Sequence, residues 1–468
     1  LGTTYLANTY GATNQLPNLA HELVAGSVLG SLLVPQLVRA LDAGGREQAE
    51  RVAGAYLGVV LAAFSAVALV VALSGPLILD LFSAGIDDRE TAADQQRVGW
   101  IMLCMTVWQV PLYGVVQIAT AAQTARGRFA LAAGAPAIEN VGIIAVMVAY
   151  VVLYGSGGSV GDVTTGQMVL LAGGSTFAVL AHAATQWWGA RRAGITLVPR
   201  WDVRSAEVRE LLSRARLAFG LSGISSLRTF GALAVANTIA GGVLAYQVGL
   251  NFLWLATALV ARPVAVALQP VLARLHHSGA LQRFREEFVR GLSVVLFMTI
   301  PAGVAYVALS ESLADAVAYG AFDTAQGHEL LSAVLIGLGL GVLGEGAYVL
   351  GFYASFARDD ARAPFAAMRW AAVVSAVGMT VALVLFDGPD RLLALAASHG
   401  ISALVAAVLV GRRVASHGGQ PLGLLPAVLR AAVAAAVMAG PAWLLAVALP
   451  AQDAAQGTRI AFLLAAGV

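Results

Sequence analysis

Residues 8–39 read NTYGATNQLPNLAHELVAGSVLGSLLVPQLVR, and this stretch decides how the rest of the chain is interpreted. It is longer than the roughly 20 residues that a membrane-spanning helix needs. Its polar and small residues recur at steps of three and four and share one helical face: Asn8, Gly11, Gln15, Asn18 and Glu22. Because polar side chains are costly in lipid, we predict that this face lines a hydrated pathway or meets a partner helix.

The composition indicates a polytopic membrane protein. Hydrophobic residues make up 59% of the chain and charged residues 12%, with a mean hydropathy of +0.79. The net charge of +2 argues against a nucleic-acid partner. The single cysteine, Cys104, excludes an intramolecular disulfide framework and a cysteine-rich metal site. Every basic residue is arginine, so there is no P-loop lysine, and we expect neither ATPase activity nor a cofactor.

Apolar segments long enough to span a bilayer recur along the whole chain. We predict twelve spans and the start of another from 459, at about 3–38, 52–79, 98–124, 130–154, 165–190, 215–240, 243–272, 291–314, 330–356, 365–386, 391–411 and 424–449. Alternate connections hold most of the arginines, so the positive-inside rule places those connections in the cytoplasm.

The basic stretch 191–216 lies between the fifth and sixth predicted spans and divides the chain. We predict an N-terminal lobe (1–194), a cytoplasmic linker (195–214), a C-terminal lobe (215–413) and extra C-terminal helices (414–468). A weak repeat supports two lobes, since VPQLVRAL at 34–41 resembles QPVLARLH at 269–276 and ALSGPL at 72–77 resembles ALSESL at 308–313. Six spans separate the copies, which predicts parallel repeats about an axis along the membrane normal.

Five stretches in this order resemble the MurJ (MviN) lipid II flippase family of the MOP exporter superfamily, most closely its actinobacterial branch. They are residues 6–40, ARGRFALAAGAPAIENVGII at 125–144, AYQVGLNFLWLATALVARPVAVALQPVLARL at 245–275, AYGAFD at 318–323 and ARDDARAP at 357–364. The resemblance implies an all-α fold of two six-helix lobes plus two extra helices, with the family's first span missing here and its last span beginning at 459. It also implies a bacterial plasma membrane location.

The resemblance implies transport of undecaprenyl-diphosphate-linked peptidoglycan precursor from the cytoplasmic to the outer leaflet, driven by membrane potential or ions. The chain departs from the family at several positions. Ala20, His21 and Glu22 stand near a family Arg-Arg pair, Asn8 stands where the family has Asp, and a family arginine falls near Gly249 to Asn251. The family's diphosphate-binding arginines are therefore not carried over directly.

We expect the substrate cavity to involve side chains from three predicted spans: Asn8, Gln15, Asn18, His21, Glu22, Arg228, Asn251 and Arg262. Arg262, followed by Pro263, is the leading candidate to bind a diphosphate, because a guanidinium group offers a bidentate fork to phosphate oxygens. The alternative is that Arg262 only pairs with Glu22 or Glu139. Arg228 is a weaker candidate of the same kind.

A second group of residues is assigned to ion binding, gating or anchoring. Glu139, Asn140 and Glu345 are candidates for an ion site or a gate, although Glu139 fits a helix-packing contact at least as well. The glycines at 337, 341, 344 and 346 around Glu345 predict close helix approach. Arg126, Arg128, Asp360 and Arg362 are expected to anchor cytoplasmic turns. His182 and His399 lack a second ligand at metal spacing, so we interpret both as packed or hydrogen-bonded residues.

The leading hypothesis is a monomeric, non-enzymatic flippase in contact with membrane lipids, working by alternating access. One alternative keeps the fold and changes the cargo to another lipid-linked saccharide or a drug. Another is a transport-inactive scaffold that recruits cell-wall synthesis proteins. The sequence does not define the headgroup or the coupling ion.

Overall fold

The computed structural model describes residues 1–202, 204–415 and 423–448, and all regular structure in these ranges is helical. Side chains are described throughout these ranges except at 23–32, 206, 211–219, 221, 442–443 and 445–448. The span predicted to start at 459 lies outside the described residues. The chain forms two compact units, which divide between Phe230 and Gly231.

The first unit is built from nine α-helices and one π-helical turn, the last helix crossing the division: α1 (Tyr5–Leu73), α2 (Gly75–Ser83), α3 (Arg89–Thr106), α4 (Gln109–Ala125), α5 (Phe129–Gly134), α6 (Pro136–Tyr154), α7 (Thr165–Met168), the π turn (Val169–Gly173), α8 (Gly174–Arg192) and α9 (Ala206–Ala236). A π turn inside a helical run shifts the faces of the residues after it. In this chain it precedes Ser175 and Thr176, which both belong to the polar network described below.

The second unit continues with a further set of helices and one 3-10 turn: α10 (Gly242–Leu259), α11 (Ala261–His277), α12 (Leu281–Ala308), α13 (Ser310–Val317), the 3-10 turn (Gly320–Phe322), α14 (Ala325–Phe356), α15 (Arg362–Leu385), α16 (Gly388–Ala415) and α17 (Leu425–Ala448). Its glycines permit close packing, as predicted. A Cβ atom built on Gly337 would lie 2.5 Å from the Leu393 carbonyl oxygen, and one on Gly344 would lie 2.5 Å from the Leu404 nitrogen.

The predicted all-α membrane architecture is confirmed. Each of the twelve predicted spans coincides with a helix or with consecutive helices. Among the described residues, nine stretches are long and apolar enough to cross a membrane when adjoining helices are taken together. The sequence predicts a loop at 39–51 between the first two spans. In the structure α1 includes these residues, and within them its direction can change only at Gly45, where φ is +63°. Only glycine adopts this left-handed conformation readily, so the turn needs one residue rather than a loop.

The predicted 195–214 linker also differs in detail. Helix α9 already begins at Ala206, and the first part of the segment packs on α1. The Arg200 amide donates to the Gly54 carbonyl oxygen at 2.8 Å, and the Thr196 amide donates to Glu50 Oε1 at 2.8 Å. The close approach needs glycine, since a Cβ on Gly58 would lie 2.1 Å from the Arg200 carbonyl oxygen. Ile195 and Leu197 are buried, whereas Val198 and Trp201 are exposed, so the start of the segment is fixed to the first unit.

The turn between α14 and α15 is held by the predicted anchor residue Asp360. Arg413 Nε donates to its Oδ2 at 2.8 Å, and the Ala363 amide donates to its Oδ1 at 3.2 Å. Arg358 Nη1 is within hydrogen-bonding distance of the carbonyl oxygens of Arg413 and Val414, near the C-terminus of α16. Arg362 is exposed at the start of α15. The hydrogen bond from Arg413 lowers the pKa of Asp360 below its ordinary value of 3.8.

We predict that Asp360→Asn lowers the free energy of unfolding by about 1 kcal/mol near neutral pH, the upper end for a partly exposed ion pair. A lowered folded-state pKa stabilises the protein above the ordinary pKa, and this stabilisation is lost as the pH falls through the folded value. The difference between wild type and variant should therefore shrink below about pH 4. Denaturant unfolding of the detergent-solubilised chain at several pH values measures it.

The matched control is Asp359→Asn, because the neighbouring carboxylate is 84% exposed and lies 3.8 Å from His277 Nε2. Asp359 has a φ of +55°, which asparagine also tolerates. Equal destabilisation by both variants, or a difference that does not depend on pH, would contradict the assigned role of Asp360.

Candidate functional site

The first unit contains a polar network among helices α1, α4, α6 and α8. On α4, Gln109 and Tyr113 are one helical turn apart and point to the same side. Gln109 Nε2 lies 3.2 Å from Asn14 Oδ1 on α1 and 3.3 Å from Thr176 Oγ1 on α8. The Tyr113 hydroxyl donates to Glu139 Oε1 on α6 at 2.8 Å. This network joins four helices through side chains at spanning positions.

Glu139 is held by two donors. Its second oxygen, Oε2, lies 2.8 Å from Nδ1 of His182 on α8. The Glu139 side chain is 17% exposed and the His182 side chain 5%. The sequence left open whether Glu139 is an ion ligand or a packing residue, and the structure shows that both carboxylate oxygens have hydrogen-bond partners. Asn140, the next residue on α6, is exposed and does not share this position.

The residues of the polar face predicted on α1 differ in how deeply they are buried. Asn8 is buried, and Gln15 and Asn18 are half-buried. Asn18 also hydrogen-bonds the Tyr113 hydroxyl, so α1 is tied to the residue that donates to Glu139. The α1 face and the Glu139 position, which the sequence treated separately, are therefore parts of one network.

His21 and Glu22 have different surroundings although they are adjacent. The His21 ring packs 5.2 Å from the Tyr113 ring centre and 5.6 Å from the Phe64 ring centre. Glu22 is exposed, and within the described chain no hydrogen bond or ion pair is recorded for it. His21 therefore belongs to the network, whereas Glu22 stays a candidate cavity residue without a demonstrated contact.

Two further hydrogen bonds, one to the backbone and one between side chains, secure the outer part of this network. The Thr106 hydroxyl donates to the Thr13 carbonyl oxygen at 2.8 Å, which fixes α3 to α1. The Tyr10 hydroxyl lies 2.7 Å from Ser175 Oγ, just after the π turn. Such bonds satisfy polar groups that lipid cannot satisfy.

In the second unit, the candidate arginine lies at a helix break. Helix α10 ends at Leu259 and α11 begins at Ala261, with Val260 at φ −109° and ψ −64° between them. Arg262 is exposed in the first turn of α11, and in the part of the chain that the structure describes no hydrogen bond or ion pair is recorded for it. Asn251 is exposed on α10. The Arg262 guanidinium therefore places a positive charge at the junction of two apolar helices.

Two further candidates make other contacts. Arg228 on α9 and Glu345 on α14 are half-buried, and each interacts with a neighbour. The environment of Glu345 is tightly packed, because a Cβ on the adjacent Gly346 would lie 2.9 Å from Cγ2 of Thr299. Their assignment as cavity and gate residues stays a prediction.

A basic cavity of about 810 Å³ lies at the predicted cytoplasmic end of the first unit. Arg128, Arg192 and Trp188 line it, and the Arg192 guanidinium carbon lies 4.4 Å from the Trp188 ring centre. Arg126 instead donates from Nε to the Ala193 carbonyl oxygen at 3.0 Å, near the end of α8. Arg126 is thus bonded to the chain just after α8, and its anchoring role stays a prediction. Arg128 contributes to a cavity that the sequence did not reveal.

The sequence analysis missed Gln109 and Tyr113 as network members. Their spacing of four residues within an apolar run is the same signal that identified the α1 face, so it could have found them. His182 was predicted to be packed or hydrogen-bonded, and it is both. Across the described ranges, no group of three or more histidine, cysteine, aspartate or glutamate side chains is arranged to hold a metal ion.

The family model and the curated relatives that match this chain carry the same description. The model of the family described as lipid II flippase MurJ matches residues 1–457. A probable lipid II flippase MurJ of Rhizobium meliloti (strain 1021) is 29% identical over 465 residues, covering 94% of this chain and 80% of the relative. One of Rhizobium tropici is 27% identical over 396 residues, covering 82% and 70%.

Solved structures show the same fold. A lipid II flippase MurJ in an inward closed conformation aligns with a TM-score of 0.74 at 16% identity, covering 99% of this chain and 90% of that one. An inward-facing multidrug resistance MATE transporter of the MOP superfamily aligns with a TM-score of 0.67 at 14% identity, covering 89% and 92%. The predicted MOP-type fold is therefore confirmed.

We predict that Tyr113→Phe destabilises the folded protein by about 1–2 kcal/mol, because a part-buried carboxylate loses a hydroxyl donor. Thermal unfolding of the purified chain measures the change. Tyr154→Phe on α6 is the control, since Tyr154 is 45% exposed. In a double-mutant cycle with Glu139→Gln, the two changes should be coupled by at least about 0.5 kcal/mol. Strict additivity would show that the hydrogen bond contributes nothing to stability.

Proposed function

Because the chain belongs to the lipid II flippase MurJ family, we propose that it moves an undecaprenyl-diphosphate-linked peptidoglycan precursor from the cytoplasmic to the outer leaflet. The protein is a multi-pass membrane protein of the bacterial plasma membrane and a transporter rather than an enzyme. The family match over residues 1–457 carries the proposal. The direction, the driving force and the residues that bind the headgroup belong to the proposal.

A polar interior at spanning depth supports transport over simple anchoring. Polar side chains are expensive among apolar helices and are retained mainly where they meet ions, water or substrates. In the first unit, Gln109, Tyr113 and Glu139 form a continuous series of hydrogen bonds with α1 and α8. A hydrated headgroup needs such surfaces, whereas its polyprenyl chain can remain in the lipid.

We assign the diphosphate contact first to Arg262, with Arg228 and Asn251 as supporting candidates. An exposed guanidinium at a helix break can present two parallel N–H donors to phosphate oxygens. A single strong contact suits transport, because a headgroup bound too tightly would not leave on the outer side. The basic cavity at Arg128 and Arg192 fits an earlier, cytoplasmic encounter with the same anionic group.

The proposed cycle is alternating access between two lobes that the repeated segments define. The headgroup would bind from the cytoplasmic side and be released outward, with membrane potential or an ion gradient supplying the energy. The parallel repeat and the lobe boundaries at 1–194 and 215–413 are parts of this proposal. Recruitment of cell-wall synthesis proteins and a monomeric state are expectations that the transport assay below does not require.

We expect Arg262→Ala to abolish growth when it replaces the wild-type gene in cells depleted of their own lipid II flippase, at matched membrane protein levels. Arg262→Lys keeps the charge but loses the bidentate geometry, so it should retain partial function. Arg290→Ala is the matched control, because Arg290 is exposed and pairs with Glu287 on its own helix at 2.7 Å. Normal growth with Arg262→Ala would remove Arg262 from the headgroup site. Failure of the wild-type chain itself, despite good expression, would favour another lipid-linked cargo, a drug or a scaffold role.

A further inference from the structure

His182, the partner of Glu139, lines a second cavity in the first unit. This cavity, of about 400 Å³, is lined by residues of α1, α4, α5, α6 and α8, including Gln117, Thr120, Thr124 and His182. Thr124 lies in the last turn of α4, next to the arginines of the predicted cytoplasmic connection. The cavity therefore runs from the pair toward the end of the helices that is predicted to be cytoplasmic.

The two ring nitrogens of His182 have different surroundings. Nδ1 lies 2.8 Å from Glu139 Oε2, and an ionised carboxylate only accepts, so Nδ1 is the nitrogen that carries a proton whenever Glu139 is charged. Nε2 is buried and, in the described structure, has no hydrogen-bond partner. The residue is 4% exposed, yet it is part of the cavity lining. A buried acceptor nitrogen without a partner is costly unless it binds something.

We propose that the Glu139–His182 pair is a proton-binding site that is loaded from the predicted cytoplasmic side through this cavity. Before loading, Glu139 is a carboxylate and His182 is neutral with its proton on Nδ1. One proton enters through the cavity and bonds to Nε2, which gives an imidazolium paired with the carboxylate. The charge of the pair changes from −1 to zero, and no hydrogen bond to Glu139 has to break.

The contacts of the carboxylate favour a proton over a metal ion. Glu139 Oε1 already accepts from the Tyr113 hydroxyl, and Oε2 faces His182 Nδ1. A calcium ion takes six to eight oxygen ligands, and no group of three or more histidine, cysteine, aspartate or glutamate side chains in the described ranges is arranged to supply them. A proton needs only the lone pair of Nε2.

The neighbouring helices place few other titratable or charged side chains near Glu139 and His182. On α4 the only titratable side chain is Tyr113, and α5 has none. On α1, the His21 ring centre lies 5.2 Å from the Tyr113 ring centre, and Glu22 is exposed. On α8 the other charged groups are Arg191 and Arg192, in its last turn. The charge of the pair is thus set mainly by its own proton.

The role of this proton site rests on the proposed transport function. A site that changes its charge by one unit can couple a proton gradient to the movement of an anionic headgroup. The site itself can be tested without transport. We would record pH-difference infrared spectra of the reconstituted full-length chain between about pH 5 and 8, where histidine usually titrates. Wild type should show an imidazole band together with a perturbed carboxylate band.

Subtracting the spectrum of His182→Gln from that of wild type should leave both bands, because the six other histidines are common to both chains. Subtracting the spectrum of Glu139→Gln should leave the carboxylate band. Both bands should persist in His399→Gln, a control in the second unit whose ring nitrogen lies 3.5 Å from the Tyr246 hydroxyl. If the wild-type chain lacks the paired bands, or if His182→Gln leaves them unchanged, the proton site is overturned. Because the wild-type spectrum is informative alone, poor folding of a variant does not prevent the test.

A sidedness measurement distinguishes this site from the transport proposal. In oriented vesicles, acid on the predicted cytoplasmic face should produce the bands, and acid on the other face should not. Titration from the other face would overturn access through the cavity. If the bands behave as expected but lipid-linked precursor is not moved, the proton site stands and the proposed flippase activity fails.

Discussion

The structure of the first unit depends on one constraint: a carboxylate placed among apolar helices must have donors on both oxygens. Glu139 obtains them from Tyr113 on α4 and His182 on α8, and Asn18 brings α1 to the same hydroxyl. Unpaired buried charges cost several kcal/mol, so these helices have little freedom to separate around Glu139. The same arrangement leaves His182, which lines a cavity, with one engaged nitrogen and one buried nitrogen without a partner in the described structure.

Much of this fold follows from the sequence because membrane folding leaves few choices. Apolar length and the alternation of arginine-rich connections predict the spans, and each predicted span coincides with helix in the structure. The polar face of α1 follows from helical periodicity. The glycines of α14 also predict close packing, since the backbone atoms that approach Gly337 and Gly344 leave no room for a Cβ atom.

Other features depend on contacts between distant residues, which periodicity does not encode. The pairing of Glu139 with His182 joins residues 43 positions apart, and nothing local marks either as the partner of the other. The packing of the 195–200 segment on α1 depends on the facing glycines Gly54 and Gly58. Its basic composition and position predicted only a cytoplasmic linker between lobes. The positive φ of Gly45 lies within a charged stretch whose composition is typical of a loop, so the sequence did not predict helix on both sides of it.

The central claim is that this chain carries a lipid-linked precursor across the bilayer. The most direct measurement is made in proteoliposomes that contain the purified full-length chain, with labelled lipid II placed in one leaflet. A membrane-impermeant reagent that recognises its headgroup reports arrival in the other leaflet. The account predicts protein-dependent arrival that increases with an imposed membrane potential or ion gradient. Arrival no faster than in protein-free vesicles, with a correctly folded chain, would contradict it.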